Sequence, residues 1–402
     1  MTTTERLSPL DASFLHLENE FAHMHIGSTS IFEGPPPPFE QVRALLESKL
    51  DDIPRYRQIA RFVPFDLGRP VWVDDAHFNV DYHVRHTALP SPGGDEQLRL
   101  LVARLMSQQL DRARPLWEIW IVEGLDDDRW ALVSKVHHAM VDGVSGAELL
   151  ATMLDVSPDV VEPIPSAWSP RPAPGNVELA TEAVADLVRS PYEQVRALRA
   201  ATRVPRQALD HLKEIGAGLS SLTGVLSATP ESSLNGPIGP HRRYVWTSVS
   251  VDDIKKVRGA LGGSFNDVVL ATVTRGFRAL LRSRGESTDR VVRTLVPVSI
   301  RPRDDGEMAT GDGTMENKVS AMFAELPVML EDPGETLSAM SAQMSDLKDS
   351  KQAVAGEALT SMAGFTPPMV LALSERVVAR GAQRNVNTVT TNVPGPPHTL
   401  YL

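Results

Sequence analysis

Residues 132–146 read LVSKVHHAMVDGVSG. The apolar start of this stretch is rich in β-branched residues, a composition typical of a strand. Two adjacent histidines, His137 and His138, come next, and Asp142 and Gly143 follow before a helix-like segment begins. We interpret the stretch as a strand, a catalytic loop and a helix, around which the rest of the chain is arranged.

The histidine pair offers a candidate general base. Neutral imidazole accepts a proton readily near neutral pH, because its ordinary pKa is about 6.5. If the strand continues through the pair, successive side chains point to opposite faces, so only one of His137 and His138 enters a given cavity. Asp142 could orient a histidine, or it could pair with an arginine and hold the loop. Gly143 beside it permits a tight turn or a close approach to a ligand.

Two other interpretations of the pair stay open. One is a core histidine next to a surface histidine, without chemistry. The other is a metal-dependent hydrolase in which His137, His138 and Asp142 bind the ion. Adjacent histidines converge poorly on one metal, so we predict no metal site.

Composition limits the classes of protein. A chain of 402 residues is long enough for two domains. Its formal net charge of −11 argues against nucleic acid as the main partner, since phosphate binding needs a basic face. The absence of cysteine excludes disulfides, thiolate catalysis and cysteine metal sites.

Neither a membrane span nor a signal peptide is visible in the sequence. No stretch approaches about 18 consecutive apolar residues, and the first nine residues lack an apolar core. We therefore predict a cytoplasmic protein. Peripheral contact with the inner membrane face or with lipid droplets stays open.

A proline-rich connector suggests the domain boundaries. Six prolines lie between residues 158 and 175, with few periodic apolar residues around them. We predict an N-terminal domain over 1–157, a connector over 158–240 with linking helices over 177–198 and 207–222, and a C-terminal domain over 241–402. The last of these begins with a strand after residue 240.

Two further segments attract attention. Pro115 and Leu116 precede Trp117, which is expected to be a core aromatic residue at the start of a predicted strand over 117–123. With a second predicted strand over 130–137 and the acidic turn 126–128 between them, this strand is expected to form a hairpin. Ser264 is a natural N-cap for a predicted helix, and Asn266 and Asp267 lie in its first turn, where polar groups satisfy free backbone donors.

The motif His-His-x-x-x-Asp-Gly at 137–143 is similar to the signature of the coenzyme A-dependent acyltransferase superfamily. Together with seven other segments it resembles the bacterial wax ester synthase/diacylglycerol acyltransferase family, and the similarity covers nearly the whole chain. The seven segments are 7–15 (LSPLDASFL), 115–118 (PLWE), 234–240 (LNGPIGP), 266–271 (NDVVLA), 296–301 (VPVSIR), 317–320 (NKVS) and 391–396 (TNVPGP).

The resemblance implies an α/β fold of two chloramphenicol-acetyltransferase-like subdomains, each a mixed sheet flanked by helices, with a channel between them. It implies transfer of a long acyl chain from acyl-coenzyme A to diacylglycerol, giving triacylglycerol. A fatty alcohol acceptor, giving a wax ester, is the alternative. Acyl-coenzyme A would be a substrate, and no cofactor is expected. A binding protein that keeps the fold without turnover is a further possibility, against which the intact motif speaks.

The resemblance also assigns roles. His138 would be the general base and His137 would support the loop, while Asp142 would pair with an arginine, for which Arg301 is the candidate. Asn266 would donate to the developing oxyanion or would only cap its helix. Asp267 is a candidate for the same substrate site, with the same capping alternative. Family members generally continue some tens of residues past the position of Leu402, so a shortened chain or a separate remaining fragment is expected.

Overall fold

The structure is a computed structural model. It describes residues 5–140, 153–155, 157–159, 166–185, 232–299, 319–349, 386–393, 395 and 399–402. The strands are β1 (His25–Glu33), β2 (Gln58–Arg61), β3 (Val71–Asp74), β4 (Val84–Ala88), β5 (Trp117–Leu125), β6 (Arg129–His137), β7 (Val292–Ser299), β8 (Val319–Leu326) and β9 (Thr388–Val389). The α-helices include α1 (Pro9–Leu17), α2 (Phe39–Lys49), α3 (Val80–His83), α4 (Asp95–Met106), α5 (Val251–Leu261), α6 (Phe265–Ser283) and α7 (Pro333–Asp349).

The first half is built on a mixed four-stranded sheet in the order β1-β6-β5-β4. Strand β6 is antiparallel to both neighbours, and β4 runs parallel to β5. The hairpin of β5 and β6 was predicted from the sequence and is confirmed. Its acidic turn places Asp127 and Asp128 in the left-handed region, with φ of 56° and 54°. Aspartate tolerates this region better than most residues, because its short polar side chain can bond to the local backbone.

Alternation along β6 separates the two faces of this sheet. Trp130 and Leu132 belong to a large apolar cluster with Trp117, whereas Ala131 and Val133 pack under α4. Successive strand residues point to opposite faces, and β6 is buried at nearly every position, so both of its faces are covered. The end of β6 therefore delivers His137 from a rigid, doubly covered strand.

The second half has its own core. Strands β8, β7 and β9 form a three-stranded sheet in that order, and α6 and α7 contribute to the same apolar cluster. The chain also returns to the first half: Asp155 and Tyr401 exchange two backbone hydrogen bonds of 2.8 Å each. The mixed α/β class predicted from the sequence is confirmed.

The prediction of a strand that begins after residue 240 is wrong. Residues 241–250 form no regular strand, and the first regular element of this part is α5. The segment lies instead on the first half, where Tyr244 and Trp246 pack against the cluster under α4. The Arg99 guanidinium stacks 4.4 Å from the centre of the Trp246 ring. The alternating aromatic residues of segment 241–250 thus cover α4, and the segment does not pair as a strand of a sheet.

The connector contributes to packing as well. Residues 176–185 are helical, and Leu179 and Ala183 are buried against Val63 and Val71. The helix predicted over 207–222 lies outside the described residues. The division of the chain at residues 157 and 240 stays a prediction. Among the described residues, no helix has both the length and the apolar composition needed to cross a bilayer.

Candidate active site

His137 is the last residue of β6 and is completely buried. Its backbone N–H donates to the carbonyl of Leu116 at 2.9 Å. Its ring Nδ1 accepts the N–H of Ala139 at 3.0 Å. The imidazole therefore accepts a hydrogen bond from within the short turn that follows the strand, and the supporting role expected for it stays a prediction.

His138 begins this turn, a single 3-10 turn over His138–Met140. Its backbone N–H donates to the carbonyl of Met24 at 2.8 Å. Its ring stacks on Phe14 of α1, with ring centres 4.8 Å apart and planes 24° from parallel. The residue is only partly buried, unlike His137. One imidazole of the pair is thus enclosed, and the other keeps an open side.

The surroundings of His138 favour its neutral form. Burial lowers the pKa of the ring, and the neighbouring His137 lowers it further. Both effects disfavour a positive charge on the imidazole. A histidine in this state holds a free lone pair at neutral pH, which is the property a general base needs.

A buried carboxylate, Glu18, lies behind the histidines and is paired with the exposed Arg112, and sequence reasoning missed it. Glu18 Oε2 accepts from Arg112 Nε at 3.1 Å and Nη2 at 2.8 Å. The other oxygen, Oε1, accepts the N–H of Met24 at 3.1 Å. Oε2 also lies 3.7 Å from His137 Nε2. Glu18 and Arg112 are 94 residues apart, so no local spacing could have connected them.

Lys135 is a second buried charge close to the two histidines. Its Nζ donates to the carbonyl of Leu105 at 3.1 Å and to that of Gln108, at the C-terminal end of α4. A cation is stabilised there by the helix dipole and by free carbonyl groups. Lys135 thereby fastens α4 to the strand that carries His137.

Pro115, Leu116 and Trp117 are all buried at the start of β5. The Trp117 indole Nε1 donates to the Tyr56 carbonyl at 2.7 Å. Its ring is stacked with His83 at 4.5 Å between ring centres. The predicted core aromatic residue is confirmed, and Leu116 supplies the carbonyl that binds His137.

Asn266 and Asp267 lie in the first turn of α6 in the second half. Asp267 is buried, and its Oδ2 accepts the N–H of Ser264 at 2.7 Å, while Ser264 Oγ accepts the N–H of Asp267 at 3.2 Å. This reciprocal pair is a capping box. The predicted cap is confirmed, and Asp267 is committed to it. An oxyanion role for Asn266, which is partly buried, stays a prediction.

Asp142, Gly143 and Arg301 lie outside the described residues. The expected pairing of Asp142 with Arg301 therefore stays a prediction. Within the described residues, no three histidine, aspartate or glutamate side chains cluster as a metal site would require. The Nδ1 atom of His137 is already occupied by the N–H of Ala139, which makes this ring a poor metal ligand on that side.

Two of the cavities in the described parts of the chain are not lined by His138. One, of about 460 Å³, lies between the turn that carries Phe65 and the helical residues 176–185. The other, of about 250 Å³, lies between β1, α4 and residues 242–244, and His25 lines it. His25 is the β1 partner of His137 in the sheet. A channel that reaches His138 from both sides stays a prediction.

Comparison with solved structures defines the class of fold. A condensation domain of the calcium-dependent antibiotic synthetase matches with a TM-score of 0.52 and 19% identity over 87% of this chain and 76% of that one. At this identity the likeness concerns the fold alone. A wax ester synthase/diacylglycerol acyltransferase from Marinobacter aquaeolei matches with a TM-score of 0.63 and 28% identity, over 98% of this chain and 83% of the other.

Comparison of sequences defines the family. The wax ester synthase/diacylglycerol acyltransferase catalytic domain matches residues 7–269, and the C-terminal domain of the same family matches residues 315–402. A Mycobacterium tuberculosis protein named "Probable diacylglycerol O-acyltransferase" is 36% identical over 98% of this chain and 82% of its own length. The chain belongs to the wax ester synthase/diacylglycerol acyltransferase family and is an acyltransferase.

Proposed function

We propose that this enzyme transfers a long-chain acyl group from acyl-coenzyme A to the free hydroxyl of diacylglycerol, with His138 as general base. The observation that carries the proposal is the setting of His138: its backbone N–H is held just past a strand end, its ring stacks on Phe14, burial lowers its pKa, and the residue is only partly buried. The mycobacterial relative named for diacylglycerol acylation supports this acceptor.

One group, His138, carries the proton from the acceptor hydroxyl to the departing sulfur. His138 takes the proton of the acceptor hydroxyl as its oxygen attacks the thioester carbonyl. The carbon–sulfur bond then breaks, and the departing sulfur takes the proton back, giving triacylglycerol and free coenzyme A. No acyl-enzyme is needed, so His138 ends each turnover neutral. Its depressed pKa favours this return of the proton.

A fatty alcohol is the second candidate acceptor. The Marinobacter aquaeolei relative carries both activities in its name, and it resembles this chain over almost the whole length. Either acceptor presents a primary or secondary hydroxyl to the same base, so the chemistry at His138 does not distinguish them. The shape of the acceptor side of the site must do so.

A competition assay tests the proposal. Purified protein is given radiolabelled palmitoyl-coenzyme A with equal amounts of diolein and hexadecanol, and the lipid products are separated by thin-layer chromatography. We expect labelled triacylglycerol as the main product. Predominant wax ester would contradict the acceptor, and label only in free palmitate would contradict acyl transfer itself.

The lowered pKa of His138 predicts the acid limb of the pH profile. A base must be unprotonated to work, and lowering its pKa keeps it unprotonated to lower pH. We expect kcat/KM to stay level down through the ordinary histidine pKa of about 6.5 and to fall only below it. The measurement is kcat/KM for palmitoyl-coenzyme A between pH 4.5 and 8. A midpoint above the ordinary value would contradict the assignment.

A further inference from the structure

The ring of His137 is constrained to one tautomer. Because the N–H of Ala139 donates to Nδ1 at 3.0 Å, that nitrogen bears the lone pair. In the neutral ring the proton must then sit on Nε2. Nε2 faces Glu18 Oε2 at 3.7 Å and has no hydrogen-bond partner within the described residues. A carboxylate at this distance attracts the Nε2–H group and favours the same tautomer.

Glu18 also supports His138 through the backbone of Met24. The N–H of Met24 donates to Glu18 Oε1 at 3.1 Å. The carbonyl of the same residue accepts the N–H of His138 at 2.8 Å. The turn that carries His138 is thus held at two points, the Met24 carbonyl and the His137 ring. Glu18 is next to both Met24 and His137, since its Oε1 accepts the N–H of Met24 and its Oε2 lies 3.7 Å from His137 Nε2.

The charge of Glu18 is permanent in the working range of pH. Burial alone raises the pKa of this carboxyl, but His137, the Arg112 guanidinium and the N–H of Met24 outweigh burial and lower it to about 2. Arg112 balances the charge with two hydrogen bonds to a single oxygen. The side chain of Glu18 is only 1% exposed, so water does not replace these partners.

We propose that Glu18 is a positioning residue for acyl transfer: it holds His137 in its Nε2–H tautomer and fixes Met24, and through both it sets the orientation of His138. Among the described residues, no hydrogen bond or ion pair joins the side chain of Glu18 to that of His138. The proposal rests on the proposed function only in taking His138 as the base.

The variant Glu18→Gln tests the role in turnover. It keeps the size of the side chain and removes its charge. We expect kcat to fall roughly 10- to 100-fold, the loss typical when the outer hydrogen-bonding partner of an oriented histidine is removed, with KM for palmitoyl-coenzyme A nearly unchanged. Glu18→Asp keeps the charge on a shorter side chain, and we expect it to recover part of the loss.

Asp74 offers a matched control. It is buried in the same half of the protein, and its two oxygens accept from Arg171 Nε at 3.0 Å and Nη2 at 3.1 Å. Hydrogen bonds from Arg171 lower its pKa to about 2, as the partners of Glu18 do for that residue. Asp74→Asn therefore removes a comparable buried charge away from the histidines. We expect it to lower thermal stability and to leave kcat unchanged.

Nitrogen-15 NMR of histidine-labelled protein measures the tautomer without turnover. In the wild type we expect His137 to carry its proton on Nε2, and in Glu18→Gln we expect the two tautomers to mix. A proton on Nδ1 in the wild type overturns the proposal, and so does a Glu18→Gln variant whose kcat falls no further than that of Asp74→Asn. If Glu18→Gln does not fold, the wild-type tautomer and the kcat of Glu18→Asp decide. If the wild-type protein shows no acyl transfer, the proposed function is refuted, and the assignment of the His137 tautomer still stands.

Discussion

His138→Ala is expected to lower kcat by about two to four orders of magnitude, the usual contribution of a general base. Without the imidazole, the acceptor hydroxyl must lose its proton to water as it attacks the thioester. KM for palmitoyl-coenzyme A should change little, because the ring acts on the acceptor proton. The measurement is release of free coenzyme A in the presence of diolein, with folding checked by circular dichroism.

His86→Ala provides the control for this variant. His86 lies on β4, at the other end of the sheet order from β1, and stacks on Phe39 with ring centres 5.0 Å apart, much as His138 stacks on Phe14. Its Nε2 lies 2.8 Å from Glu123 Oε1. The substitution therefore removes an exposed imidazole that is stacked on a phenylalanine as His138 is, but lies at the far edge of the sheet, and activity should survive. Retention of wild-type kcat by His138→Ala would refute the assignment of the base.

Local patterns were enough to predict the elements that position His138. The β5–β6 hairpin follows from alternating apolar runs around an acidic turn, and the Ser264 cap follows from a serine before a helical apolar pattern. Each of these signals lies within a few residues of the structure it specifies. For that reason sequence alone located the strand end at His137 and the capping role of Asp267.

Contacts between distant parts of the chain escaped prediction. Nothing near Glu18 indicates that Arg112 will bind it or that His137 will face it, since these partners come from separate elements. The segment that carries Tyr244 and Trp246 has the alternation of a strand, yet it packs on α4 instead. Alternation states which side chains are buried, and the neighbour that buries them is decided by tertiary structure.

Trp117→Ala is expected to lower the free energy of unfolding by about 3 to 5 kcal/mol, the cost of removing a fully buried aromatic side chain. The indole is only 1% exposed, and its Nε1 donates to the Tyr56 carbonyl at 2.7 Å. The substitution leaves a cavity beside His83 and an unsatisfied carbonyl in the core. Urea unfolding followed by circular dichroism measures the change.

Two further tryptophan variants separate the causes and tie stability to the site. Trp117→Phe keeps most of the buried ring and loses the hydrogen bond, so its loss should be smaller. Trp120→Ala, on the same strand but only partly buried, should also cost less than Trp117→Ala. An equal loss in Trp120→Ala would contradict the special role of Trp117 in the core. The carbonyl of Leu116, the neighbour of Trp117 in the chain, accepts the N–H of His137. A substitution at Trp117 should therefore also reduce acyl transfer at temperatures at which the protein is still folded.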